Sequence, residues 1–83
     1  MTQIEKLVER LRREKGPSSF ADVRHLLEHR GWSLIRQVGS HVTFAKSGQP
    51  PLIFFPLLSG RWVKQQCVRD VLKRLALDGD DNG

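Results

Sequence analysis

An imidazole and a guanidinium, His41 and Arg36, stand five residues apart in the chain, with Gly39-Ser40 between them. A neutral imidazole can accept the proton of a ribose 2′-hydroxyl, and a guanidinium can stabilise the charge that builds up on the attacked phosphate. Such chemistry needs no metal. It does need both side chains on one surface, so the elements that carry them decide whether it is available.

Two β-forming runs with period-two alternation flank Gly39-Ser40, namely Trp32 to Val38 and His41 to Lys46. A two-residue loop with Gly at its first position suits a type II′ turn, which fixes the register of the hairpin. The expected pairs are Val38 with His41, Gln37 with Val42, Arg36 with Thr43 and Ile35 with Phe44. Alternation then puts Ile35, Val42 and Phe44 on one face and Arg36, His41 and Thr43 on the other. Arg36 and His41 become diagonal neighbours, about 7 to 8 Å apart, a gap that a long side chain closes.

The remaining segments supply the scaffold. Thr2-Gln3-Ile4-Glu5 has the form of a capping box, and Ile4, Leu7, Val8 and Leu11 follow at helical spacing until Gly16-Pro17. Ser19 opens a second helix with Phe20, Val23, Leu26 and Leu27 on its apolar side and Gly31 at its end. Beyond the hairpin, Leu52 to Phe55 reads as a third strand, and Val68, Val71, Leu72 and Leu75 mark a last helix over about Lys64 to Leu77. The expected fold class is α+β, a three-stranded antiparallel sheet backed by helices in the order α-α-β-β-β-α, with the second sheet face open. Residues 1–77 form the expected single domain, and the acidic, Gly-rich residues 78–83 a flexible tail.

Size and charge narrow the partners. A chain of 83 residues buries roughly 60 to 65 % of its unfolded surface around one thin core, leaving little room for a deep catalytic pocket or a small-molecule ligand. The last six residues hold three of the nine acids, so residues 1–77 carry 14 basic against 6 acidic side chains. So basic a domain attracts polyanions, nucleic acid first. Lys46 closes the second strand, while Arg61 and Lys64 precede the last helix, and these three are candidate backbone contacts. Arg69, Lys73 and Arg74 read equally well as a solvated helix face. The single Cys67 excludes a disulfide framework, and no window approaches the roughly 20 apolar residues of a membrane span, so the expected setting is the reducing cytoplasm without a membrane partner.

Two other patterns have plainer explanations. His25-Leu26-Leu27-Glu28-His29 fits a zinc-peptidase motif, but a chain this short offers no substrate cleft, and the two histidines fall on the polar side of their helix. No metal or other cofactor is therefore expected. Phe54 and Phe55, inside an all-apolar run, read as core, whereas Trp62 beside Arg61 stays open as a stacking contact.

Gly31-Trp32, Arg36-Gln37, Gly39-Ser40-His41 and Phe44 together resemble the signature of the HicA toxins, the RNA-cleaving halves of HicA/HicB toxin-antitoxin pairs. The likeness is strongest over residues 31–44 and extends more loosely from Phe20 to Leu77, with residues 2–15 similar to the extra N-terminal helix of longer members. It implies a double-stranded-RNA-binding-domain-like fold and metal-independent endoribonuclease action on mRNA. It also implies His41 as the catalytic residue, Arg36, Gln37 and Ser40 as supports or RNA contacts, and a HicB-like antitoxin that covers the site. Many relatives carry a further histidine shortly after the third-strand proline, where this chain reads Pro56-Leu57-Leu58-Ser59-Gly60. The resemblance thus implies weakened activity, or a role handed to Arg61 or Lys64. The residues by themselves also accommodate a non-catalytic RNA-binding module or a protein-interaction module.

Overall fold

The computed structural model describes residues 2–48 and 52–77. Helix α1 (Gln3–Arg13) starts at the capping box, in which the Thr2 hydroxyl accepts from the Glu5 N–H and the Glu5 carboxylate accepts from the Thr2 N–H. After the two-residue strand β1 (Ser18–Ser19), helix α2 (Phe20–His29) begins at Ser19, whose hydroxyl accepts from the Ala21 N–H. Gly31, at φ +91°, turns the chain out of α2 into β2 (Ser33–Val38), a left-handed conformation that glycine adopts without strain. Strands β3 (His41–Ala45) and β4 (Ile53–Pro56) complete an antiparallel sheet of order β2-β3-β4. A short strand β5 (Trp62–Val63) and helix α3 (Gln65–Arg74) follow.

The architecture is the expected α+β arrangement, a double-stranded-RNA-binding-domain-like fold with a three-stranded sheet backed by helices. Alternation puts Val42 and Phe44 of β3 and Ile53 and Phe55 of β4 on the covered face, where all four are buried with Val23, Leu26, Leu27, Val68, Val71 and Leu72 of the helices. Phe20 meets Phe44 and Phe55 edge-on at 6.3 Å each, and Phe44 stacks on Phe55 at 6.0 Å. Leu7 and Leu11 join the same core, so α1 is packed into the fold. The Arg10–Asp22 ion pair and the Gln65 amide donating to the Glu14 carbonyl tie α1 to α2 and α3.

Four expectations need correction. The β2–β3 register holds for Val38–His41, Gln37–Val42 and Arg36–Thr43, but a bulge between Leu34 and Arg36 puts Leu34, not Ile35, opposite Phe44. One extra residue in β2 reverses the alternation beyond it, so Ile35 faces solvent at 55 % exposure and Leu34 packs against the core. Phe54 is not core: it lies on the open face and is 61 % exposed, while Phe55 is buried. A second, two-stranded sheet also forms, β1 against β5, from segments too short to carry a visible period. The last helix ends at Arg74, short of Leu77, and residues 78–83, expected as a tail, lie outside the described residues.

The bulge is testable by equilibrium unfolding in urea. Ile35→Thr should change stability by no more than about 0.5 kcal/mol, as an exposed position does. Phe44→Ala, which empties a fully buried site, should cost about 3 to 5 kcal/mol. A large loss in Ile35→Thr would restore the unbulged register.

Candidate functional site

The β2–β3 turn sets the geometry. Gly39 has φ +59°, whereas Ser40 is not among the residues with positive φ, the pattern of a type II′ rather than a type I′ turn. The Ser40 carbonyl accepts from the Leu57 N–H at 2.7 Å, which ties the turn to the chain leaving β4. His41 pairs with Val38 on one side and Pro56 on the other, and Thr43 pairs with Arg36 and Phe54. Two rows therefore cross the open face, Val38-His41-Pro56 and Arg36-Thr43-Phe54. His41 is the diagonal neighbour of both Arg36 and Phe54.

Arg36, Val38, His41, Thr43 and Phe54 line one shallow depression on this face. The imidazole of His41 stacks on the Phe54 ring, centroids 5.6 Å apart and planes 15° from parallel. His41 thus has a cation on one diagonal and an aromatic ring on the other, with its edge open to solvent. Among the described residues, no carboxylate lines the depression.

The other candidate residues are dispersed. Gln37 pairs with Val42 and so belongs to the opposite face, though at the edge strand it remains exposed. Ser40 sits exposed at the turn beside His41. Lys46 follows the far end of β3 and lies along Gly31, a strand length from His41. Arg61 lines a second depression with Ser19, Phe20, Ala21, Arg24, Gly60 and Trp62, at the tight turn where Ser59 and Gly60 both have positive φ. Lys64 occupies the N-cap of α3 without making a side-chain cap.

Charge is segregated along the chain in a way that composition alone hides. Residues 29–69 contain six basic side chains and no Asp or Glu. The ion pairs among the described residues involve Arg10, Arg12, Arg13 and Arg24, all on α1 and α2. Arg36, Lys46, Arg61 and Lys64 pair with no carboxylate among the described residues, so their charge is available to a polyanion. Trp32, by contrast, is buried beneath Arg74, whose guanidinium lies 5.0 Å from the ring centre.

Other reactive groups lie apart from this face. His25 and His29 are exposed on α2, and no three potential metal-binding side chains come together among the described residues. Cys67 lines a pocket of about 230 Å³ between β4 and α3. Burial pushes its thiol above the usual cysteine range, with Lys64 opposing and Asp70 adding to the shift. No helix among the described residues is long and apolar enough to cross a membrane.

Phe54 is the residue that sequence reasoning missed. Its signal was its place in Ile53-Phe54-Phe55-Pro56, where alternation makes one phenylalanine outward, but an all-apolar run does not say which. For Cys67, alkylation by iodoacetamide at pH 8 should run slower than for a free cysteine and should keep rising as pH passes about 9. A rate matching free cysteine at pH 8 would contradict the burial that shifts it.

No curated protein and no solved structure matches the chain at a significant level. A family model does match, the HicA toxin of bacterial toxin-antitoxin systems, over residues 20–77, which span α2, the three-stranded sheet and α3. The chain belongs to the HicA toxin family.

Proposed function

We propose that this protein is an endoribonuclease that cleaves mRNA without a metal, with His41 as general base. The observation that carries the reading is the position of His41 on the open sheet face of a HicA toxin, diagonal to Arg36 and within an acid-free, basic stretch. His41 removes the proton of a ribose 2′-hydroxyl, and that oxygen attacks the adjacent phosphorus. The bond to the 5′-oxygen breaks, leaving a 2′,3′-cyclic phosphate on one fragment. Arg36 stabilises the charge on the phosphoryl oxygens during the attack. Arg61, Lys64 and Lys46 hold more distant phosphates, while Gln37, Ser40 and Thr43 support the hairpin or contact RNA.

The leaving 5′-oxygen must also acquire a proton. Among the described residues the other ionisable side chain in the depression around His41 is Arg36, and Leu57 and Leu58 follow Pro56 where many relatives carry a histidine. Arginine does not give up its proton, so water supplies it. Cleavage is therefore slow, as suits an enzyme with a base and no matched acid. Residues 1–77 act as one RNA-binding domain, and a HicB-like antitoxin covers the open face when the toxin is held inactive.

Purified protein should cleave single-stranded RNA in EDTA and leave cyclic phosphate ends, and His41→Ala should abolish this. Arg36→Ala should lower kcat about a hundredfold, the usual effect of removing one charge-stabilising donor. With one base and no required acid, the rate should rise with pH to a plateau and show no descending limb. If wild type binds RNA without cutting it, and His41→Ala changes only affinity, the protein is a binding module.

A further inference from the structure

Strand alternation turns Phe54 onto the open face, where a polar side chain would serve equally well to close the strand. Its strand partner Thr43 is only half-buried, and among the described residues its face leaves Val38 and His41 exposed as well. The core beneath is already filled by Phe44 and Phe55, stacked on each other, with Phe20 against both. Placing a phenylalanine outward exposes apolar surface that a polar residue would not. Among the described residues its ring contact is the stack on His41, and 61 % of the residue is accessible. Exposed Val38 and Arg36, both across β3 on β2, line the same depression, and Arg36 has no carboxylate partner among the described residues.

We propose that Phe54 is a nucleobase platform: the base of the attacked nucleotide stacks on its free surface, extending the existing His41–Phe54 stack, and this sets the ribose against His41. The inference rests on the ribonuclease reading. It adds that the substrate at this site is unpaired. A base held in a duplex is stacked on its neighbours and its faces are not available to a side chain, whereas a single-stranded base can be splayed onto an aromatic ring. The fold resembles a domain that reads duplex shape, but the exposed ring on the working face selects the unstacked strand. Phe54 is thus a positioning residue for the reaction, acting through the base it holds and the imidazole it packs against. Among the described residues, the acid-free charge of residues 29–69 and the unpaired Arg36 favour a polyanion over a protein as the occupant of this face.

The test uses the full chain and short oligomers of 2′-O-methyl nucleotides interrupted by one ribonucleotide, so that only one ribose can react. Three forms are compared: the single strand, the same strand in a duplex, and the single strand with its one cleavable nucleotide made abasic. Affinity is read by fluorescence anisotropy in EDTA and cleavage by product analysis. Phe54→Leu should weaken binding of the single strand about tenfold and leave the duplex unchanged. The abasic strand should bind wild type about as weakly as the intact strand binds Phe54→Leu, and combining both changes should cost no more than either alone. Phe54→Tyr should restore the wild-type values, since it keeps the ring.

Equal loss on single strand and duplex, additive losses with the abasic strand, or unchanged affinity in Phe54→Leu would each overturn the proposal. The last outcome would assign the ring to a protein contact. Failure of the ribonuclease reading is distinguishable, because the affinity cycle stands whether or not any oligomer is cut. Coupling without cleavage would keep the platform and remove the reaction, whereas cleavage lost in His41→Ala without coupling would keep the reaction and remove the platform.

Discussion

The Gly39-Ser40 turn is the constraint on which the rest of the site depends. A β-hairpin has a side-chain period of two, so sliding one strand by a single residue would exchange its two faces. A type II′ turn of two residues removes that freedom, because its backbone twist matches the flanking strands only when Val38 pairs with His41. The turn is itself held by the hydrogen bond from the Leu57 amide to the Ser40 carbonyl, so β4 is indexed to the same reference. One glycine with positive φ thereby determines that His41 points away from the helices and that Arg36 is its diagonal neighbour.

The two faces of the sheet solve different problems. The covered face buries Val42, Phe44, Ile53 and Phe55 in one apolar cluster with side chains of the three helices. The bulge at Ile35 lets the edge strand keep Leu34 on that core while Arg36 stays on the open side. Without the extra residue, an unbroken alternation that kept Arg36 outward would have lost Leu34 from the core. The open face bears little of the stability and is free to carry an imidazole, a guanidinium and an exposed ring together.

Electrostatics follow the same division. Carboxylates are concentrated on the helices, where Glu9, Asp22 and Glu28 neutralise neighbouring arginines, and the long stretch between Glu28 and Asp70 has none. On the proposed reading, a phosphate backbone approaching the sheet would meet cations that, among the described residues, have no carboxylate partner. The dispersion of Arg61, Lys64 and Lys46 away from His41 fits a polymer substrate, which makes contacts over a distance that a small molecule cannot span.

Much of this was legible in the sequence. The capping box at Thr2, the Ser19 cap, the apolar stripes of the helices and the Gly39-Ser40 turn are local signals, and each acts through residues within four or five positions of one another. They determined the element order, three of the five β2–β3 pairs and the direction of His41. The bulge at Ile35 was not legible, because it reflects a competition between two edge-strand side chains for one core position, and that core is built from distant helices. The β1–β5 pairing was hidden for the same reason, since two-residue strands have no period of their own. Phe54 was hidden because the sequence between the two strands, Ser47-Gly48-Gln49-Pro50-Pro51, carries no two-residue turn signal from which a register could be read. Only the packing of Phe44, Phe55 and Phe20 decided which phenylalanine went inside and which was left beside His41.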